Sequence, residues 1–132
     1  MKRRPSAIGL MLCEQVIVEE NTKNVTLVNC FSFRAVHQLP SVPVPFVLFS
    51  VLTGGAGEIP LEVVIARLDT FDEVYQRSEF FRFADPLREV RLTWRIRHCS
   101  FPVAGEYLAT LLADGEPIGQ RKFKILLREG SS

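Results

Sequence analysis

The chain is short of the side chains that most metal and nucleophilic chemistry requires. Among its 132 residues there are two histidines, three cysteines and one tryptophan. The cysteines, Cys13, Cys30 and Cys99, are odd in number and show no Cys-x-x-Cys spacing. That excludes the usual pattern of a zinc ribbon and of a small secreted disulfide scaffold, and it favours reduced thiols in the cytoplasm. No apolar run approaches the ~18 residues of a membrane-spanning helix, so no membrane partner is expected. There is no internal repeat and no low-complexity stretch. Neither sign of charge dominates: 16 Lys and Arg stand against 15 Asp and Glu. A net charge of +1 argues against a generally basic nucleic-acid binder and against an acidic tail protein.

The N-terminus only partly imitates an export signal. Lys2, Arg3 and Arg4 precede the apolar run Ala7–Leu12, which falls short of the ~7–15 residues such a region needs and is followed by no small-x-small cleavage site. Cys13 follows Leu12, whereas a lipoprotein site has a small residue there. Asn24-Val25-Thr26 is a glycosylation sequon that matters only in a secreted protein.

Hydrophobic residues make up 47% of the chain, enough for one core, and the length fits a single domain over 1–132. Turn signals punctuate it at Asn21–Asn24, Leu39–Pro45, Gly54–Gly57, Thr70–Asp72, Ala84–Pro86, Pro102–Gly105 and Asp114–Pro117. They leave eight short segments, the spacing of a β-sandwich or barrel. The segments alternate with period two. In the second, Val25, Leu27, Phe31, Phe33 and Ala35 share one parity; in the sixth, Val90, Leu92, Trp94, Ile96 and His98 do. Such alternation gives one buried and one wet face, as in antiparallel sheets. Phe46–Leu52 is apolar on both parities and reads as a central strand. Asp114-Gly115 marks a hairpin. Ile8–Val18 reads as a strand with a bulge at Glu14-Gln15, although a helix also fits; Leu61–Leu68 leaves a helical turn open.

Three stretches together carry a resemblance. They are Cys13–Glu20 running through a polar turn into Asn24–Phe31, then Phe101-Pro102-Val103-Ala104-Gly105-Glu106-Tyr107, and Asp114-Gly115-Glu116-Pro117-Ile118. In these the chain resembles a family of small, uncharacterised bacterial proteins, a domain of unknown function. The resemblance implies a single immunoglobulin-like β-sandwich and no established activity, so it assigns no site residue. Gly105-x-Tyr107 is the pattern of a tyrosine corner. Cys30 and Cys99 fall on the second and sixth segments, where immunoglobulin domains place their inter-sheet bridge. Two residues beyond Tyr107, however, stands Ala109, so the antibody-type cysteine is missing from its register.

Few residues suggest chemistry. A metal site would have to join scattered groups, for example His98 with Cys13 and Cys30, and no spacing supports it. A Cys–His nucleophilic pair lacks a motif for its orienting group and anion hole. Asp69, Asp72 and Glu73 read as a solvated turn with Arg67 and Arg77 near enough to neutralise it. Gly54-Gly55-Ala56-Gly57 lacks the Lys-Ser/Thr of a phosphate loop and reads as a hairpin turn. The most distinctive polar feature is Arg91, Arg95 and Arg97 on one face of the sixth segment, with Arg88 before them. Guanidinium groups in a row suit an acidic partner. The plainer reading pairs them across strands with acids such as Glu62 or Glu106. Stacking aromatics, the mark of single-strand binders, are absent from that face, which argues against nucleic acid.

The sequence thus predicts an all-β, immunoglobulin-like antiparallel sandwich of seven or eight strands. Its inner face should include Leu27, Phe31, Phe33, Phe49, Leu92, Trp94, Ile96, Tyr107, Phe123 and Ile125. The expected function is a non-enzymatic cytoplasmic binding module without a cofactor. It would use a sheet face or an edge strand, with Arg91, Arg95 and Arg97 meeting an acidic protein partner. Exposed edges also permit a homodimer by edge pairing or sheet stacking. The alternative is a metal-dependent enzyme with Cys and His ligands.

Overall fold

The computed structural model describes residues 1–128. Ten strands follow in order: β1 Ser6–Cys13, β2 Gln15–Val18, β3 Val25–Val28, β4 Phe33–Val36, β5 Phe46–Thr53, β6 Gly57–Arg67, β7 Glu73–Phe83, β8 Val90–Ile96, β9 Gly105–Ala113 and β10 Glu116–Leu127. Eight of them form the sandwich. A three-stranded sheet, β1-β5-β8, faces a five-stranded sheet, β4-β10-β9-β6-β7, while β2 and β3 pair only with each other. All pairings are antiparallel except β4 with β10. The fold is an immunoglobulin-like sandwich.

The period-two pattern explains the core. Ile59, Leu61, Val63 and Ile65 on β6, and Tyr107, Ala109, Leu111 and Ala113 on β9, are buried on one sheet. Phe46, Leu48 and Leu52 on β5, and Leu92, Trp94 and Ile96 on β8, are buried on the other. Ser50 is the polar member of the β5 inner row. Its hydroxyl donates to the Gly9 carbonyl at 2.6 Å, where the β1 ladder is shifted by a bulge and Gly9 has φ +70°. Burying a hydroxyl is cheap only when it is bonded in this way. Asp114 and Gly115 both have positive φ, the geometry of a two-residue hairpin loop between β9 and β10.

One end of the core is aromatic. Phe123 packs against Phe31, Phe46, Phe101 and Tyr107, with ring centroids 6.4, 6.3, 5.8 and 5.8 Å away. Tyr107 is fully buried, and its hydroxyl donates to the Val103 carbonyl at 2.7 Å. This is the tyrosine corner expected from Gly105-x-Tyr107.

Several expectations need correction. The second segment is two strands. Asn29 takes φ +55°, and the chain passes from β3 in the hairpin to β4 in the five-stranded sheet. The parity therefore breaks: Phe33 lies opposite Lys124 on the outside, 56% exposed, and Leu27 is only half-buried in the hairpin. Phe49 also faces outward, opposite Thr93, on the side of β5 against which β2 packs. The first segment is strand throughout, but it divides at Glu14, and its bulge lies at Gly9. His98 falls beyond the end of β8 and is exposed. The Gly54–Gly57 stretch is a crossing between sheets, since β5 and β6 belong to different ones. Gly55 is required there, because a Cβ would sit 2.9 Å from the Phe83 ring.

Candidate functional site

The two sheets end on one side with β7 and β8, each paired on only one edge. Residues 84–89 carry the chain directly from one to the other, and no strand lies between. Among the described residues, neither β7 nor β8 makes a backbone hydrogen bond on its free edge.

The side chains of β7 show what this opening contains. Tyr75, Arg77, Glu79 and Phe81 lie opposite the inward residues Ile65, Val63, Leu61 and Ile59 of β6. They therefore share the core-facing parity, yet two of the four are charged. Arg77 and Glu79 are both exposed and pair at 2.9 Å. Charge at inward positions is tolerable only where water or a polar ligand reaches them. Beneath, Trp94 seals the core: its Nε1–H donates to the Tyr75 hydroxyl at 3.2 Å, and its ring lies 6.2 Å from that of Phe81.

Above this floor is a cavity of about 340 Å³ lined by Arg77, Glu79 and Phe81 from β7 and by Thr93, Trp94, Arg95 and Arg97 from β8 and its end. A second space of about 510 Å³ shares Arg77 and Arg97 and continues to Val74, Tyr75, Gln76 and His98. Together they make a cleft along the open side, with three guanidinium groups against one carboxylate. Arg95 and Arg97 have no ion pair among the described residues.

The arginine trio read from the sequence is therefore divided. Arg95 and Arg97 line the cleft, whereas Arg91 donates to the Lys23 carbonyl in the turn between β2 and β3. That bond holds the hairpin across the outer face of the three-stranded sheet. The acids proposed as cross-strand partners are engaged elsewhere or distant: Glu62 accepts from the Gln76 side-chain amide, and Glu106 lies on β9. From the sequence Arg77 reads only as a neutraliser of the acidic turn at Asp69, Asp72 and Glu73, whereas it pairs with Glu79. Its signal as a cleft residue is a charge on the parity of Tyr75 and Phe81.

A family model described as "Family of unknown function (DUF6941)" matches residues 9–126. The chain belongs to this family. No curated protein matches it. Among solved structures, it is similar to the alkylpurine DNA glycosylase AlkC of Pseudomonas fluorescens, there bound to DNA containing an abasic-site analogue. The identity is 9% and the TM-score 0.51, over 89% of this chain. The match spans only 30% of the glycosylase and shows the fold alone. An immunoglobulin-like protein from Pseudomonas aeruginosa is similar at 10% identity, with a TM-score of 0.43, over 92% of this chain and 95% of the other.

The other sequence candidates do not converge on this cleft or on one another. Asp69 accepts from Arg67 at 2.9 Å, and that bond holds its carboxyl below the usual carboxylate range. The Thr70 hydroxyl donates to Asp72, so the turn satisfies its own charges. Arg34 stacks on Phe31 and Phe46, 4.9 and 5.6 Å from their ring centres, and serves packing. Among the described residues no three His, Cys, Asp or Glu side chains come together to hold a metal ion. None of their helices is long and apolar enough to cross a membrane.

All three cysteines are unpaired, Cys30 exposed and Cys13 and Cys99 buried, so the Cys30–Cys99 bridge is absent. Burial pushes the Cys99 thiol up to about 12. Burial, together with the nearby Cys30, also raises Cys13. The thiolate is the reactive form. Ellman titration of the native protein at pH 8 should therefore count one fast thiol, Cys30, and three after denaturation. A fast second thiol would show that a buried cysteine is reached without unfolding.

Proposed function

We propose that this chain is a non-enzymatic binding module of the cytoplasm that takes an acidic protein partner in the cleft between β7 and β8. The observation that carries the reading is the meeting of Arg77, Arg95 and Arg97 over an aromatic floor, with Glu79 as the one facing carboxylate. Guanidinium groups bind carboxylates in a planar, two-pronged geometry, and a partly enclosed cleft screens them less than an open surface does. The unpaired cysteines support a reducing compartment.

A second copy of the chain suits this site poorly. Two β8 edges laid side by side would set arginine near arginine, and like charges across strands are destabilising. Nucleic acid also suits it less well. Trp94 is buried beneath the cleft and offers no open face for a base to stack on. The glycosylase that shares the fold is bound to DNA, but its likeness extends to the fold alone.

The test is capture from the native host's extract on immobilised protein, with partners identified by mass spectrometry. Arg95→Glu combined with Arg97→Glu should fold normally, since both side chains are exposed and surface changes usually cost within ~0.5 kcal/mol. The double variant should lose the partner that the wild type retains, and added salt should weaken wild-type capture. Equal recovery of the same partner by both proteins would sink the reading.

A further inference from the structure

We infer that the acidic partner enters the cleft as a single extended strand, laid along the free edge of β8 so that it closes the open side of the sandwich. The inference rests on the proposed function above and specifies how the partner is held. Three observations support it. The edges of both β7 and β8 lack backbone partners among the described residues. Unpaired edges are templates for a further strand. The direct link at residues 84–89 leaves the position between them unfilled. The core beneath is already sealed by the Trp94–Tyr75 bond and the Phe81 contact, so a strand can dock without rearrangement of the interior.

The side chains then dictate the partner's pattern. Thr93 and Arg95 lie on the outward parity of β8, with Arg97 two residues further on, and Trp94 and Ile96 on the inward parity. Residues two apart on an added strand would sit beside Arg95 and Arg97 and should be acidic. The alternate residues would face Phe81 and the Arg77–Glu79 pair across the cleft; they should be uncharged, with a methyl to meet Phe81 and a hydroxyl to keep the ion pair in polar contact. The partner segment is thus about six residues in which acidic residues alternate with threonine-like ones, close to the usual length of a strand. The Arg77–Glu79 pair is local and self-neutralising, which leaves Arg95 and Arg97 for the partner.

The test measures fluorescence anisotropy with a labelled peptide of alternating Glu and Thr. Its controls are a block isomer with the Glu residues first, and two forms N-methylated on alternate residues, one set in each form. In a strand, successive N–H groups point to opposite sides. One methylated form should therefore lose binding about tenfold or more, and the other should bind like the parent. The block isomer should also be about tenfold weaker. Parent binding should fall by at least that factor in the Arg95→Glu and Arg97→Glu double variant.

The outcomes separate the two readings. If both methylated forms or the block isomer bind as well as the parent, yet the arginine variant does not, the cleft takes acidic partners by charge alone and the added strand is wrong. Binding that ignores the arginine reversal overturns the cleft itself. Failure of the parent peptide to bind, while host-partner capture still depends on Arg95 and Arg97, overturns the strand and leaves the cleft. Displacement of the peptide by an equally charged oligonucleotide, as readily as by unlabelled peptide, makes the occupant a general polyanion and overturns the acidic strand.

Discussion

Replacing Phe123 with alanine will cost on the order of 3–5 kcal/mol of folding stability, the range for deleting a large buried aromatic. Few single substitutions in this chain should cost more. The phenyl ring meets four other rings: Phe31 and Phe46 come from the loop before β4 and from β5, and Phe101 and Tyr107 from the loop and strand of the tyrosine corner. Its removal leaves a void that these rings cannot close together without leaving their edge and stacked contacts. Domains of this size are stable by only ~5–15 kcal/mol, so the loss is a large fraction of the total. Urea unfolding should show a lower midpoint with little change of slope. Phe80→Ala is the matched control. That ring is 71% exposed on the outer face of β7, and its loss should move stability by no more than ~0.5 kcal/mol. Equal effects at the two positions would mean that the aromatic cluster is not the tightly packed end of the core.

Trp94→Ala should be comparably severe, at about 3–5 kcal/mol, and should also disturb the cleft. The indole closes the gap between the sheets on the side where no strand does, so its loss lets water in beneath the arginines. Trp94→Phe separates the two roles. It keeps most of the buried area and gives up the bond from Nε1–H to the Tyr75 hydroxyl, which should cost about 0.5–1.5 kcal/mol. Partner capture should survive in the phenylalanine variant, because Arg77, Arg95 and Arg97 remain, and should weaken in the alanine variant even under conditions where it is folded. A folded Trp94→Ala protein that binds as tightly as wild type would show that the aromatic floor contributes nothing to the site.

The sequence made the interior of the sandwich largely readable. Leu92, Trp94 and Ile96 alternate without interruption, and Gly105-x-Tyr107 together with Asp114-Gly115 marks a corner and a hairpin by backbone requirements that are local. The failures share a physical cause. Asn29 adopts a left-handed conformation that asparagine tolerates without advertising it, and the link it opens runs irregularly to β4, so that Phe31 still meets the core rings while Phe33, two residues on, lies outside. Phe49 looked like core because it is apolar. It stands half-buried on the outward parity of β5, opposite Thr93, a register set by long-range pairing that local periodicity does not encode. The cleft was half visible. Arg95 and Arg97 stood out as a row, but Arg77 joins them only because β7 and β8 end different sheets on the same side. Which sheet a strand joins is settled by long-range pairing, and the same pairing took Arg91 out of the row to hold the turn at Lys23.

The two sides of the sandwich differ in one further way. On the side of β1 and β4 the chain leaves one sheet, makes the β2–β3 hairpin and returns in the other. There the backbone bonds from Phe31 N–H to the Leu12 carbonyl and from Glu14 N–H to the Val28 carbonyl, with Gly119 set against Leu10, occupy the flank. Among the described residues, the β7–β8 flank is the one where neither edge strand has a backbone bond on its free side. A domain with two open flanks could add to itself end on end into a filament. One with a single open flank has a valency of one: it ends a sheet instead of propagating it, and it should form complexes of fixed one-to-one stoichiometry at any concentration.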